Sequence, residues 1–299
     1  MSVHIALKVD VDTLRGTREG TPNLYRLLDQ LKIRATFLFS VGPDHTGRAI
    51  KRAFRPGFFS KVQRTSVLEH YGLKTLLYGT LLPGPDIGRE GAEIIREAAR
   101  SGHEVGVHCW DHVLWQDHVA TKDPEWTQKQ MRLAHNRLGD ILGRAPQTHG
   151  AAGWQMNDAA LAFEQTLGYR YASDSRGTSA FTPVVNGQAL SCIQMPTTLP
   201  TFDELIGLNG VTEQSVAAPL LAQTEARDRD HVFTLHSELE GQKLLPSFEG
   251  LLRGWLAQGY RLGSMAEQAE RIDRSKLPKG RVVMGELAGR SGVLALQSV

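Results

Sequence analysis

From Val3 to Val11 apolar and polar residues alternate, a period of two that predicts a β-strand. Thr21-Pro22 then offers an N-cap followed by proline at the first helical position, and Leu24, Leu27, Leu28 and Leu31 follow at helical spacing. Arg34–Val41, RATFLFSV, is mostly apolar and reads as a second strand. Past a long segment, 42–88, helical periodicity returns over Arg89–Arg100 and stops at Ser101-Gly102, and His103–Val107 is the next strand. Asp123-Pro124 opens a long helix to Leu142, and Asn157–Leu167 is another. Short strands are expected at Arg170–Ala172 and Ser191–Met195, a helix at Thr212–Arg227 and a strand at His231–Leu235. A helix over Ser247–Gln258, a strand at Tyr260–Leu262 and a helix over Ser264–Ile272 complete the series. Residues 280–296 carry two apolar runs around Gly-Arg-Ser-Gly and read as a β-hairpin that seals the fold or an interface. No internal repeat is found.

Strands alternating with helices over short connections imply a parallel sheet, open or closed into a barrel. In both arrangements chemistry collects at the strand ends. Strand one ends in Asp10-Val11-Asp12, the GHEVGV strand at His108, and the HVFTL strand at His236.

Composition narrows the class. At 299 residues, with 41% hydrophobic and 22% charged residues, the chain can bury a large core and is not broadly disordered. A net charge of +2 argues against a nucleic-acid partner. Two cysteines, Cys109 and Cys192, make no disulfide framework. Lys8, Asp10 and Asp12 interrupt the N-terminus where a secretory signal needs an apolar run, and no run approaches the roughly 18 residues of a membrane span. The expectation is an intracellular protein, soluble or peripherally attached to a membrane.

His108 and His112 stand at H-x-x-x-H spacing, which on a helical turn brings both imidazoles to one ion. Alone, the motif is as well read as a solvated loop. Asp10 and Asp12 change the balance: at period two both point to the side of the strand opposite Val9 and Val11. Two carboxylates on the inner face of an apolar strand are costly to bury unless a cation compensates. Asp12, His108 and His112 would hold one divalent ion and leave positions open for water and substrate, the pattern of a catalytic site. Such an ion lowers the pKa of its water from about 15.7 toward about 7. Asp10 would then serve as general base and His236 as general acid. The plainer readings are a strand-end cap for Asp10 and a satisfied core imidazole for His236.

These stretches resemble the metal-dependent polysaccharide deacetylases, the NodB-homology family. VDVDT (9–13) is similar to their first motif, GHEVGVHCWDH (102–112) to their second and TLHSELEG (234–241) to their last. The resemblance implies a distorted (β/α)7-type barrel in a single α/β domain over residues 1–272, with an insert after strand 2 and a C-terminal extension, 273–299. It implies Asp10 as base, Asp12, His108 and His112 as ligands, and His236 as acid. ASDSRG (172–177) is a looser match and offers Asp174 as a carboxylate supporting the site from behind. The chain departs from the pattern in three places. Val11 separates aspartates that are usually adjacent, and Cys109 follows the first histidine where Thr or Ser is usual. THGAAGW (148–154) replaces the Arg-Pro-Pro-Tyr stretch that orients the base, which leaves His149 to tune Asp10.

VDVDTLRGT, FLFSVGPDHTGRA, HGAAGWQMND and GELAGRSGVL are similar to one branch of the family. It implies a deformylase acting on a formamido sugar carried by undecaprenyl phosphate, in the aminoarabinose modification of lipid A that confers polymyxin resistance. The cofactor implied is one divalent ion: zinc, manganese, cobalt or nickel. Within 42–88, Arg48, Lys51, Arg52, Arg55, Lys61 and Arg64 are interleaved with Phe54, Phe58, Phe59, Leu68 and Tyr71. That mixture suits an amphipathic segment on an anionic membrane surface, or equally a basic lid over the barrel mouth. With the lipid-linked substrate it places the protein peripherally on the cytoplasmic face of a bacterial inner membrane. Trp110, Trp115 and Trp154 are candidates to wall a sugar site, or plain packing. The alternatives are an N-deacetylase of peptidoglycan or a similar polymer, and a non-catalytic barrel that docks on a membrane or partner.

Overall fold

The computed structural model describes residues 3–49, 74–290 and 292–298. In chain order its strands are β1 (His4–Val11), β2 (Thr36–Ser40), β3 (Glu104–Cys109), β4 (Thr148–His149), β5 (Tyr171–Ala172), β6 (Thr182–Val185), β7 (Gln188–Ala189), β8 (Ile193–Gln194), β9 (His231–His236), β10 (Arg261–Gly263), β11 (Lys279–Glu286) and β12 (Val293–Ser298). Its α-helices are α1 (Thr21–Gln30), α2 (Ile87–Glu90), α3 (Ala92–Arg100), α4 (His112–His118), α5 (Pro124–Leu142), α6 (Asp158–Thr166), α7 (Phe202–Leu205), α8 (Ala217–Gln223), α9 (Leu245–Gln258) and α10 (Met265–Ala269).

All eight residues of β1 are buried, so both its faces are covered. In parallel fashion β1 pairs with β2, β9 and β10, and the sheet continues through β3, β4 and β5 to β8. After β8, Thr198 donates its N–H to the Val232 carbonyl of β9 at 3.0 Å, which carries the sheet most of the way round to its start. This is the distorted (β/α) barrel expected, here incompletely closed, with β10 added beside His4–Ala6. Alternation sorts the side chains of β1. Ile5, Leu7, Val9 and Val11 face the outer core with Leu24, Leu28, Phe37, Phe39 and Trp255. Ala6 faces inward onto Tyr171, Ile193, Met195, Val232 and Met265, which plug the lower barrel. Each such large apolar side chain contributes about 1.5–3 kcal/mol on burial. Lys8, Asp10 and Asp12, in phase with Ala6, stand above that plug.

Local chemistry sets the helix ends. The Asp123 side chain accepts from Trp126 N–H, Pro124 fills the first turn, and Gly143 at φ 67° closes α5. The helix expected over Thr212–Arg227 shortens to α8 because Pro219 lacks an N–H and its ring would clash with the carbonyl of residue 215. The helix expected over Arg89–Arg100 is two pieces, α2 and α3, meeting at Gly91.

The two described ends of the insert are laced together. Asp44 N–H donates to Pro85 C=O at 2.8 Å and Gly47 N–H to Tyr78 C=O at 3.0 Å. The exposed Arg48 uses its Nε–H on Gly79 C=O at 3.0 Å. Lys51, Arg52, Arg55, Lys61 and Arg64 lie outside the described residues. At the C-terminus β11 and β12 form an antiparallel hairpin, Arg281 opposite Ser298 through Glu286 opposite Val293, and β11 also pairs with β6.

The turn after β1 packs on the loop after β9 with no room for a side chain. A Cβ at Gly16 would lie 1.9 Å from Glu238 Oε1, and one at Gly20 would lie 1.9 Å from the Ser237 carbonyl oxygen. Because that second obstacle is backbone, Gly20→Ala should destabilise the protein by about 1–3 kcal/mol. A lowered denaturant midpoint is the expected reading; an unchanged one contradicts the close approach.

Candidate metal centre and active site

Three elements deliver the polar cluster. Asp10 lies in β1 and Asp12 just past its end, His108 lies near the end of β3, and His112 is the first residue of α4. The two histidines do not share a helical turn, contrary to the simplest reading of their spacing. Asp111, extended at φ −135°, separates strand from helix and caps α4 by accepting Leu114 N–H. The imidazoles converge because strand and helix meet at a sharp corner, with ring centres 5.4 Å apart. His45, from the root of the insert, holds the other Asp111 oxygen at 2.6 Å.

Asp12 bridges the two rings, with Oδ1 3.2 Å from His108 Nε2 and Oδ2 3.4 Å from His112 Nε2. His108 Nδ1 lies 2.6 Å from Gly150 C=O, an acceptor, so Nδ1 carries the proton. In the neutral imidazole Nε2 then presents a lone pair to a carboxylate oxygen. Two acceptors do not hold each other at 3.2 Å unless a proton or a cation stands between them. Asp12 Oδ1 is correspondingly buried without a hydrogen bond. Ligand atoms on a tetrahedron of radius about 2.1 Å are about 3.4 Å apart, and the candidate ligand atoms all lie within 4.8 Å of one another. The donor set, two imidazoles and a carboxylate, suits a divalent transition metal. Burial alone would raise the pKa of Asp12, but His112, then His108 and His236, outweigh it and hold the carboxyl far below the usual range.

Lys8 is the cation that meets Asp10, its Nζ 2.9 Å from Oδ2, both groups shielded from solvent. Asp10 Oδ1 is buried with no hydrogen-bond partner. His149, expected to tune Asp10, does not: its Nδ1 is 2.8 Å from Asp174 and 3.0 Å from Glu164. The signal for Lys8 was present in the sequence, since Lys8, Asp10 and Asp12 share the period-two face. A lysine in an apolar strand is equally a break in a secretory signal, and nothing local marks it as the partner of Asp10. His236 is the register partner of Asp10 across β1 and β9, and its Nδ1 is buried without a partner.

Two carboxyls after His236 in TLHSELEG, Glu238 and Glu240, brace the backbone. Glu238 Oε1 accepts from Asp12 N–H (3.1 Å), Thr13 N–H (2.9 Å) and Thr13 O–H (2.8 Å). Glu240 Oε2 accepts from His236 N–H at 2.8 Å. Burial and then the Asp12 charge push the Glu238 carboxyl well up, and burial pushes Glu240 up to about 8, so Glu240 is mostly protonated at neutral pH. Behind the ligands lies the other cluster, His149, Glu164 and Asp174, none of it reaching solvent, with Gln194 Nε2 donating to Asp174 at 2.6 Å and to Glu164 at 3.1 Å. Burial would lower His149, but Asp174 and Glu164 raise it to about 10, so it is an imidazolium. Asp174 accepts from Ala151 N–H at 2.8 Å, next to the Gly150 carbonyl that sets His108. Cys109 packs in the core with Sγ 3.2 Å from Ser40 Oγ. Trp115 is core packing on Trp126, whereas Trp154 lies beside Lys8, its ring centre 5.2 Å from Nζ.

A family model described as polysaccharide deacetylase matches residues 4–172, more than half of the chain. The chain belongs to this family. It is 36% identical to a protein of Shewanella sediminis named probable 4-deoxy-4-formamido-L-arabinose-phosphoundecaprenol deformylase ArnD, over 98% of this chain and 94% of the relative. It is 31% identical to a protein of the same name from Wigglesworthia glossinidia brevipalpis, over 94% of this chain and 98% of the relative. Among solved structures, a candidate polysaccharide deacetylase of Mycobacterium smegmatis superposes with a TM-score of 0.66 at 17% identity, covering 96% of this chain and 95% of that one, and shows the same fold. As a member of the polysaccharide deacetylases, with deformylase relatives along its whole length, the protein is an amide hydrolase.

Metal content tests the first cluster. Purified Asp12→Ala should retain less than about a tenth of the divalent metal held by the native protein, because one ligand of three is gone; equal retention by elemental analysis refutes the assignment. The other cluster predicts a pH dependence. The pKa of His149 is raised from its ordinary 6.5 to about 10, so its stabilisation is complete below pH 6.5 and lost as pH rises through 10. Unfolding free energy should fall between those values, and His149→Gln should flatten the fall.

Proposed function

We propose that this chain is a metal-dependent deformylase. It removes the N-formyl group from 4-deoxy-4-formamido-L-arabinose linked to undecaprenyl phosphate, a step of the aminoarabinose modification of lipid A that protects against polymyxin. The observation that carries the proposal is the convergence of Asp12, His108 and His112 beside Asp10 and His236, in a chain similar from end to end to relatives named for that reaction. Zinc, manganese, cobalt or nickel fits the three ligands.

A divalent ion held by Asp12, His108 and His112 would supply Lewis-acid polarisation of the formyl carbonyl and acidification of a water molecule. The residues of the chain supply the rest. Lys8 holds Oδ2 of Asp10, which leaves Oδ1 as the oxygen free to take a proton from water. His236, arriving from β9, gives a proton to the sugar nitrogen as its bond to the formyl carbon breaks, so formate and the free amine depart. Glu238 and Glu240 keep the backbone of Asp12 and His236 from shifting. Asp174, through Ala151, keeps the carbonyl that fixes the ring of His108.

A lipid-linked sugar must be met at a bilayer surface. Among the described residues no helix is long and apolar enough to cross a membrane. At the root of the insert, however, Leu81 is 81% exposed and Leu82 lies exposed beside it. With the basic residues of 42–88 they form the peripheral membrane contact, on the cytoplasmic face of the inner membrane.

Formate release from the formylated lipid, assayed beside N-acetylated glycans, tests the substrate; release only from the glycans would refute it. Asp10→Asn should lower kcat by about 10²–10⁴-fold. Lys8→Met should lower it about 10–100-fold with metal retained, since a misaimed base costs that much. For the membrane contact, the Leu81→Asp, Leu82→Asp double variant should lose salt-sensitive retention on anionic liposomes; retention equal to the native protein rules the contact out.

A further inference from the structure

The extension after residue 272 lies beyond the residues matched by the family model, 4–172, yet it reaches the site. The hairpin is sewn to the barrel mouth at Arg176, whose N–H donates to Ala295 C=O at 2.9 Å and whose C=O accepts from Gln297 N–H at 2.8 Å. Gln155 adds a bond from Nε2 to Val293 C=O at 2.6 Å. In the connection between β11 and β12, Arg290 turns inward. Its Nε is 2.7 Å from Glu204 Oε1, and its guanidinium stands 4.5 Å from the centre of the Trp154 ring. Glu204 is itself buried and also accepts from Arg176 Nη1 at 2.5 Å, so the carboxylate locks both arginines. Trp154 is the ring that Lys8 Nζ approaches to 5.2 Å, and Lys8 is the cation on Asp10 at 2.9 Å.

Trp154 needs such support. It follows Gly153 at φ 60° and is itself at φ 52°, a left-handed conformation that a bulky residue keeps only where its surroundings impose it. Its own polar anchor, Nε1 to Thr197 Oγ1, is long at 3.3 Å. A cation against the indole face adds attraction that grows as water is excluded.

We infer that Arg290 is a positioning residue of this hydrolase: the extension pins Trp154, Trp154 covers Lys8, and Lys8 aims Asp10. The inference rests on Asp10 acting as the base. In metal-loaded full-length protein, Arg290→Gln keeps an N–H for Glu204 and removes the cation. It should lower kcat about tenfold, with KM, metal content and thermal midpoint unchanged, as for a reacting group displaced by a fraction of an ångström. Arg290→Lys should regain most of the loss, and Arg281→Ala, exposed on the same hairpin, should behave as the native protein. The Arg290→Gln, Lys8→Met double variant should be no slower than Lys8→Met alone, because both changes act on one group. Native kcat in Arg290→Gln, or losses that multiply in full, overturns the inference. A crystal structure of Arg290→Gln decides it independently of turnover. The Lys8–Asp10 contact should loosen and the Trp154 ring move, and an unchanged contact overturns the inference whatever the activity. Failure of the deformylase reading looks different, since the native protein itself would then release no formate.

Discussion

Lys8, Asp10 and Asp12 project from one face of a strand whose residues are all shut away from water, and each charge must find its complement within a few ångströms. An isolated buried carboxylate is so costly that it would take up a proton instead. Asp10 is answered by Lys8, while Asp12 faces His108 and His112 in a donor set suited to a divalent cation. Much of the upper barrel follows from that need for compensation. The corner at Asp111 brings His112 in, the Gly150 carbonyl turns His108, and Glu238 takes up the backbone N–H groups around Asp12. Glu238 stands close to the Asp12 carboxylate, and burial together with that charge pushes its own carboxyl well up.

The division of labour between the two clusters is equally electrostatic. In the His149 cluster an imidazolium lies against Asp174, burial and the Asp174 charge push the Glu164 carboxyl well up, and Gln194 spans both acids. A site satisfied in this way rigidifies what it touches, here the 149–154 loop. In the Asp12 cluster a carboxylate oxygen faces the unprotonated Nε2 of His108, and buried oxygens of Asp10 and Asp12 go without hydrogen bonds. Spatially similar groups thus serve opposite purposes, one closed on itself and one open to a ligand.

The series of strands and helices along the chain and the gathering of Asp12, His108 and His112 were legible in the sequence because both depend on periodicity and on strand ends, which are local patterns. The partner of Asp10 was harder to read. Lys8 lies on the right face, but a lysine so deep in a core is rare, and nothing local announces that its ammonium will remain inside. His149 lies in THGAAGW, the stretch where the family resemblance leads one to expect an arginine, yet the nearness of Asp174 and Glu164 turns it elsewhere. The pairing of Glu238 with Thr13 spans 225 residues, and such contacts follow only once β9 is known to lie beside β1. By sequence Trp154 reads as a wall of the sugar site or as packing. Its place against three cations depends on Arg176 and on a tail whose docking no short-range pattern foretells.

Asp10 and His236 are partners across adjacent parallel strands. Their backbones are therefore separated by the rise of one hydrogen-bonded ladder, about 4.8 Å, a length that no change of side chain or loop can stretch. The gauge between the proposed base and the proposed acid is thereby built into the sheet. Divergence in what such barrels cleave must enter from the rim, where connections such as 42–88 can lengthen freely without disturbing that gauge.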